Sequence, residues 1–256
     1  MYLKERLAAG EYLIGAGIYS GSTDMIEYTA SGMDWIWWEA QHVQSGWQTL
    51  LHGVRTGQLM DIPVLVRSWT HDGGTIERLL DMGADGIIVP MVNIVEQAHE
   101  IVSHCYYPPL GNRSFGSLRA ERIEEDPDQW NKRMLVVVQL ETAQALENAE
   151  QIARVPGIDV LHIGTRDLAL RMGKHSDDLG ARVEVQEQRR LLLEICKKIR
   201  KSAMAIPSTP AVLRECISDG FQMICAGMDV DFVQANFQQM RKTFRQRLSE
   251  LDKSAR

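Results

Sequence analysis

Glu141 ends the apolar run LVVVQLE, and Asp167 follows the next such run, VLHIG, in the turn GTRD. A carboxylate set directly after a buried hydrophobic strand is costly unless a cation meets it. Two of them on neighbouring strand ends make a seat for a hard divalent ion. Such an ion takes one or two protein carboxylates, keeps several waters and leaves positions for substrate oxygens. Each residue alone is as well explained by an arginine partner or a helix cap; the pair together points to a metal. His42 stands in WWEAQHVQ, three residues after Glu39. Glu39 can fix the imidazole in one tautomer while the other nitrogen faces a substrate, an orienter and base pair. A loop histidine is also a common surface or packing residue. Arg67 ends PVLVR, where its planar fork can bind a carboxylate or steady an enolate oxygen. The other reading of Arg67 is a structural salt bridge to Glu39 or Glu141.

Lysines stand only at positions 4, 132, 174, 197, 198, 201, 242 and 253, and none ends an apolar run. Imine-forming aldolase chemistry needs a buried lysine amine. If this chain cleaves a carbon–carbon bond beside a carbonyl, its electron sink is therefore a metal. His162, inside VLHIG, reads as a satisfied interior histidine, and Trp35, Trp37 and Trp38 read as core and pocket wall. Arg113 in PLGNRSFG reads as a solvated arginine that can reach an anionic substrate from its loop. Gly73-Gly74 is a helix start, and no phosphate-binding glycine loop is present.

What must position these residues is a set of strands ending on one side. Eight short apolar runs qualify: Tyr12 to Ile18, Asp34 to Trp38, Pro63 to Arg67, Gly86 to Pro90, Leu135 to Glu141, Ile158 to Gly164, Ala203 to Pro207 and Gln222 to Gly227. Several are apolar at consecutive positions (PVLV, GIIV, LVVV), as strands buried on both faces are. Helical segments alternate with them near 22–31, 46–59, 73–82, 94–104, 144–154, 184–202, 210–219 and 230–249. The order predicts one (β/α)8 barrel, an α/β TIM barrel, over residues 1–256 as a single domain, with its active site at the C-terminal strand ends. Residues 105–134 are too long for a plain connection and are expected to cover the site; residues 171–183 form a second loop. The tail NFQQMRKTFRQRLSELDKSAR reads as a long charged helix with one apolar side, suited to capping the barrel or pairing with another subunit.

A net charge of -6 leaves no electrostatic footprint for nucleic acid or an anionic membrane, so small molecules are the expected partners. Four separated cysteines offer neither a zinc ribbon nor a redox pair and fit a reducing compartment. With no signal-peptide run and no spanning stretch, the expected location is cytoplasmic.

The segments GMDWIWWEAQH, PVLVRSW, LLDMGADGIIVPMV, YYPPLGNRSFGS, VVVQLETAQALENAEQIARVPGIDVLHIGTRDLA and GFQMICAGMD, in that order, resemble the HpcH/HpaI aldolases, related to the citrate lyase beta subunit. The resemblance runs from about residue 13 to about residue 235. It implies Mg2+, Mn2+ or Co2+ on Glu141 and Asp167, His42 as base with Glu39 as its acidic partner, and Arg67 neutralising an enolate oxygen. It also implies that Gly164, Thr165 and Arg166, in the turn before Asp167, hold a pyruvate carboxylate through backbone amides. Gln139 and Gln41 stand with them as substrate-binding residues. Members are commonly hexamers, trimers of dimers that exchange C-terminal helices, which gives the tail a use. Two departures stand out. Gln41 precedes the histidine where many members carry an acid, and Thr165-Arg166 replaces a Pro-Ala or Pro-Ser pair. The implied reaction is reversible cleavage of a 4-hydroxy-2-oxo acid to pyruvate and an aldehyde, with Tyr19 beside the aldehyde pocket. The alternatives are an acyl-CoA lyase of the malyl-CoA type and a non-catalytic binding barrel.

Overall fold

In the computed structural model of the protein, which describes residues 1–116, 118–173 and 179–254, all eight apolar runs become strands. They are β1 (Leu13–Ile18), β2 (Trp35–Glu39), β3 (Val64–Arg67), β4 (Gly86–Val89), β5 (Leu135–Leu140), β6 (Val160–Ile163), β7 (Ser202–Ala205) and β8 (Met223–Met228). Each pairs in parallel with the next and β8 pairs back to β1, so the sheet is a closed barrel. The helices are α1 (Leu3–Ala8), α2 (Thr23–Ala30), α3 (Trp47–Leu59), α4 (Gly73–Asp81), α5 (Val95–Cys105), α6 (Leu118–Ile123), α7 (Pro127–Arg133), α8 (Ala143–Glu147), α9 (Ala149–Arg154), α10 (Thr165–Arg171), α11 (Leu179–Ile199), α12 (Pro210–Asp219) and α13 (Asp229–Ser254).

Local chemistry sets the helix ends. Asp72 caps α4 by accepting from Thr75 N–H at 2.8 Å. Thr209 caps α12 by accepting from Val212 N–H, and Pro210 opens the helix. A side-chain oxygen at this position satisfies an amide that has no intrahelical partner. Gly220 stops α12 in the left-handed region at φ 104, which a residue with a Cβ enters only with strain. The predicted helix over 144–154 is two helices that meet at Asn148.

Two apolar layers result. Alternate residues of the strands point inward and fill the barrel with Leu13, Trp35, Trp37, Leu65, Ile88, Leu135, Val137, Val160, Met204 and Met223. Leu3 and Leu7 of α1 join the same column. The other face of each strand packs on the helical shell. Gly15 has no room for a Cβ because the Trp35 ring lies against it, so a glycine there is what lets the indole lie inside the barrel.

The excursion at 105–134 lies elsewhere than expected. It leaves the C-terminus of α5 and leads into the start of β5, so it belongs to the face opposite the strand ends where the site is built. There it folds into α6 and α7, and Trp130 is fully buried. Arg113 is buried with it, ion-paired to Asp81 at 2.7 Å and stacked 4.2 Å from the Trp130 ring. It is therefore a packing residue, not a solvated or substrate-facing one. Of the second loop, residues 174–178 lie outside the described residues, and α11 begins at Leu179, ahead of the expected 184. Among the described residues no helix is long and apolar enough to cross a membrane.

Candidate active site

Strand register brings the first pair together. Glu39 and Arg67 are register partners at the ends of β2 and β3. Glu39 is fully buried, and its Oε2 accepts from Arg67 Nε at 2.6 Å and from Trp37 Nε1 at 3.0 Å. Its Oε1 accepts from the backbone N–H of His42 at 3.0 Å. Glu39 thus fixes the His42 main chain and the Arg67 guanidinium; it does not hold the imidazole ring, as the sequence reading expects. Three groups fix Arg67: Glu39, the Gln139 Oε1 at 3.4 Å from Nη1, and the Tyr19 hydroxyl at 2.8 Å from Nη2. Its guanidinium also lies 5.1 Å from the Trp37 ring centroid, a cation–π contact. Arginine carries five N–H donors, so two remain, one on each terminal nitrogen.

The carboxylates come from farther round the mouth, after β5 and β6. Glu141 follows β5 and is 3% exposed; its Oε2 accepts from the Met91 N–H at 3.0 Å. Burial pushes its carboxyl above the usual range, the Asp167 charge adds to that, and Met91 and Arg67 oppose it. Gly164 packs so closely under the Glu141 carboxylate that a Cβ has no room. Asp167 sits half-buried in the first turn of α10. Neither carboxylate forms a salt bridge among the described residues. No group of three or more His, Cys, Asp or Glu able to hold a metal occurs there either. Two carboxylates outside any salt bridge among the described residues, both lining the cavity, fit an oxygen-seeking divalent ion that keeps water and substrate as ligands.

These side chains face one cavity of about 780 Å³. His42, Arg67, Gln139, Glu141, Gly164, Thr165, Arg166 and Asp167 all line it. Glu39 stands behind Arg67. Gln41 does not line the cavity, and its side-chain oxygen is buried without a hydrogen-bond partner. Tyr19 and Trp37 also line the wall, as does His162, whose Nδ1 is 3.0 Å from the Met204 carbonyl. A carbonyl only accepts, so Nδ1 carries the proton and Nε2 is the acceptor. Burial pushes the His162 pKa down to about 4, which keeps the ring neutral. Arg189 of α11 was not singled out by the sequence; it lines the cavity stacked 4.7 Å from the Phe221 ring. Nothing in a long polar helix marks one arginine as inward-facing, so no signal was available for it. No described lysine lines the cavity.

A closed parallel barrel with this cluster at its strand ends defines a class of enzyme, and comparison places the chain within it. The profile of the HpcH/HpaI aldolase/citrate lyase family matches residues 18–235, and the chain belongs to that family; it is an aldolase, a carbon–carbon lyase. It is 33% identical over 235 residues to 2-keto-3-deoxy-L-rhamnonate aldolase of Klebsiella pneumoniae subsp. pneumoniae, covering 88% of this chain and 86% of that protein. The enzyme of the same name from Escherichia coli strain K12 is likewise 33% identical, with the same coverage. Among solved structures, citrate synthase SbnG superimposes with a TM-score of 0.85 at 27% identity, over 96% of this chain and 98% of that one. An HpcH/HpaI aldolase from Desulfitobacterium hafniense DCB-2 gives 0.88 at 25% identity, over 96% and 97%.

Proposed function

We propose that the protein is a divalent-metal-dependent aldolase that reversibly cleaves a 4-hydroxy-2-oxo acid to pyruvate and an aldehyde. The observation that carries this is the pair Glu141 and Asp167, neither in a salt bridge among the described residues and both facing the same cavity as Arg67. The compound for which those relatives are named, 2-keto-3-deoxy-L-rhamnonate, has the required pattern of a 2-oxo group and a deoxy C3.

Glu141 and Asp167 hold Mg2+, Mn2+ or Co2+ in this reading. A bound ion would supply the Lewis-acid charge that lets negative charge build on the pyruvate half. Arg67 directs its two remaining N–H donors at the developing enolate oxygen, and its three protein bonds keep it from reorganising as charge appears. His42, exposed at the cavity wall with its main chain fixed by Glu39, takes the proton from the 4-hydroxyl. The Gly164–Asp167 turn, where no side chain caps α10, offers amides to the substrate carboxylate, with the Gln139 amide beside them.

Chelation with EDTA is expected to abolish cleavage of a 4-hydroxy-2-oxo acid, and Mg2+, Mn2+ or Co2+ to restore it. Borohydride with pyruvate is expected to leave every lysine unmodified; a trapped lysine adduct overturns the reading.

The protein is further proposed to assemble as a homo-oligomer through α13, a hexamer of helix-exchanging dimers. The support is a stripe of exposed apolar side chains, Val233, Phe237, Met240, Phe244, Leu248 and Leu251, at helical spacing. Sedimentation of the wild type against Phe237→Glu tests it: a hexamer that the substitution disperses supports the proposal, and a wild-type monomer overturns it.

A further inference from the structure

Tyr19 follows β1 directly, and two contacts fix it. Its backbone N–H donates to Asp229 Oδ1 at 2.8 Å, and Asp229, at the start of α13, is itself buried and also accepts from the Ser20 N–H and hydroxyl. Its hydroxyl accepts from Arg67 Nη2 at 2.8 Å. A phenol has one proton, and an oxygen that accepts from arginine turns that proton away from it. No described residue accepts the Tyr19 proton, while the side chain lines the cavity. The hydroxyl is therefore a donor aimed at whatever occupies the site, and donation from a cation strengthens it. Burial pushes the Tyr19 hydroxyl above its usual pKa, so it stays an O–H donor at neutral pH.

Topology says which part of a substrate it meets. In an eight-stranded barrel β1 lies four strands from β5, directly across the mouth from Glu141. The pyruvate half belongs beside Glu141 and Asp167, and Arg67 of β3 lies between the two sides. What extends toward β1 is the half bearing C4. Arg166 lines the same cavity.

We infer that Tyr19 is a catalytic residue of the aldehyde half, its hydroxyl donating a hydrogen bond to the C4 oxygen, hydroxyl in the acid and carbonyl in the aldehyde. The inference rests on the aldolase reading above. When the base removes the C4 hydroxyl proton, the charge left on that oxygen is met by Tyr19, and in the reverse direction the same bond polarises the aldehyde carbonyl. Pyruvate enolisation alone does not involve the C4 oxygen.

The test is Tyr19→Phe, which keeps the ring packed on the barrel's inner column. Two reactions are followed with Mg2+ present: exchange of the pyruvate methyl protons for deuterium by NMR, and cleavage of 4-hydroxy-2-oxopentanoate. Exchange is expected to slow by up to about tenfold, because Arg67 loses one of its three bonds, while kcat for cleavage falls roughly 100-fold beyond that, the scale of losing one donor to a developing oxyanion. Equal losses in both reactions overturn the inference, because the hydroxyl then acts only by holding Arg67. Unchanged cleavage overturns it as well. A wild type that performs neither reaction with any of the three metals overturns the aldolase reading itself, a result distinct from an active wild type with an equally active variant.

Discussion

Glu39 Oε2 accepts from both the Arg67 guanidinium, at 2.6 Å, and the Trp37 indole, at 3.0 Å, and none of the three side chains has appreciable contact with solvent. A buried pair of this kind costs desolvation to form, but removing one partner strands the other charge. Glu39→Ala is expected to lower the unfolding free energy by about 3–5 kcal/mol, read by urea denaturation. Adding Arg67→Met is expected to recover part of that stability and none of the activity. Full retention of stability in the single variant shows that water replaces the carboxylate.

His42→Ala is expected to lower kcat by roughly 100- to 10,000-fold, the range for losing a positioned base. Because Glu39 grips the His42 main chain and not its ring, folding is expected to be unaffected. Near-normal turnover in a folded variant excludes His42 as the base.

His162 sets a pH dependence on stability. Its folded pKa, about 4, lies below the ordinary 6.5, so the unfolded chain binds the proton more readily. The stability tied to neutral His162 is complete above pH 6.5 and is lost as pH falls toward 4, in total about 3 kcal/mol. Denaturation midpoints at pH 7 and pH 5 are expected to differ more in wild type than in His162→Phe. Parallel behaviour of the two shows that other groups carry the acid sensitivity.

Arg166 is exposed and lines the cavity. An arginine fork gains two charge-assisted bonds to a carboxylate, so Arg166→Ala is expected to raise KM for an aldehyde with a second anionic group and to spare a neutral one. The difference is expected to shrink with added salt. Equal losses for both aldehydes refute the recognition role.

The strands were legible because burial on both faces leaves consecutive branched residues; β3 and β5 start and stop within one residue of their apolar runs. His42, Arg67, Gln139, Glu141 and the 164–167 turn share one cavity because strand ends converge in a barrel, whatever each side chain then does, while Gln41 and Glu39 do not line it. What failed was direction and partner. Glycine and proline mark 105–134 as irregular without saying which end it occupies; its place between a helix and the following strand puts it at the far face. Glu39 and His42 were close in sequence, but which hydrogen of His42 the carboxylate meets depends on side-chain torsions that spacing does not report. The Tyr19 hydroxyl found Arg67 through the curvature of the closed sheet, which carries no sequence mark.

Leu3 and Leu7 belong to the column that fills the barrel, so α1 stoppers the vessel and traffic at the site runs through the mouth. Glu141 and Arg67 lie deep in that vessel, at 3% and 5% exposure, while Arg166 is at the rim. On the proposed reaction, two products formed in a one-ended vessel are expected to leave in a queue, the aldehyde first and pyruvate behind it. Steady-state cleavage is then expected to be inhibited by pyruvate in competition with substrate and by the aldehyde in a mixed pattern. In the synthetic direction the expected queue reverses, with the nucleophile seated before any electrophile arrives.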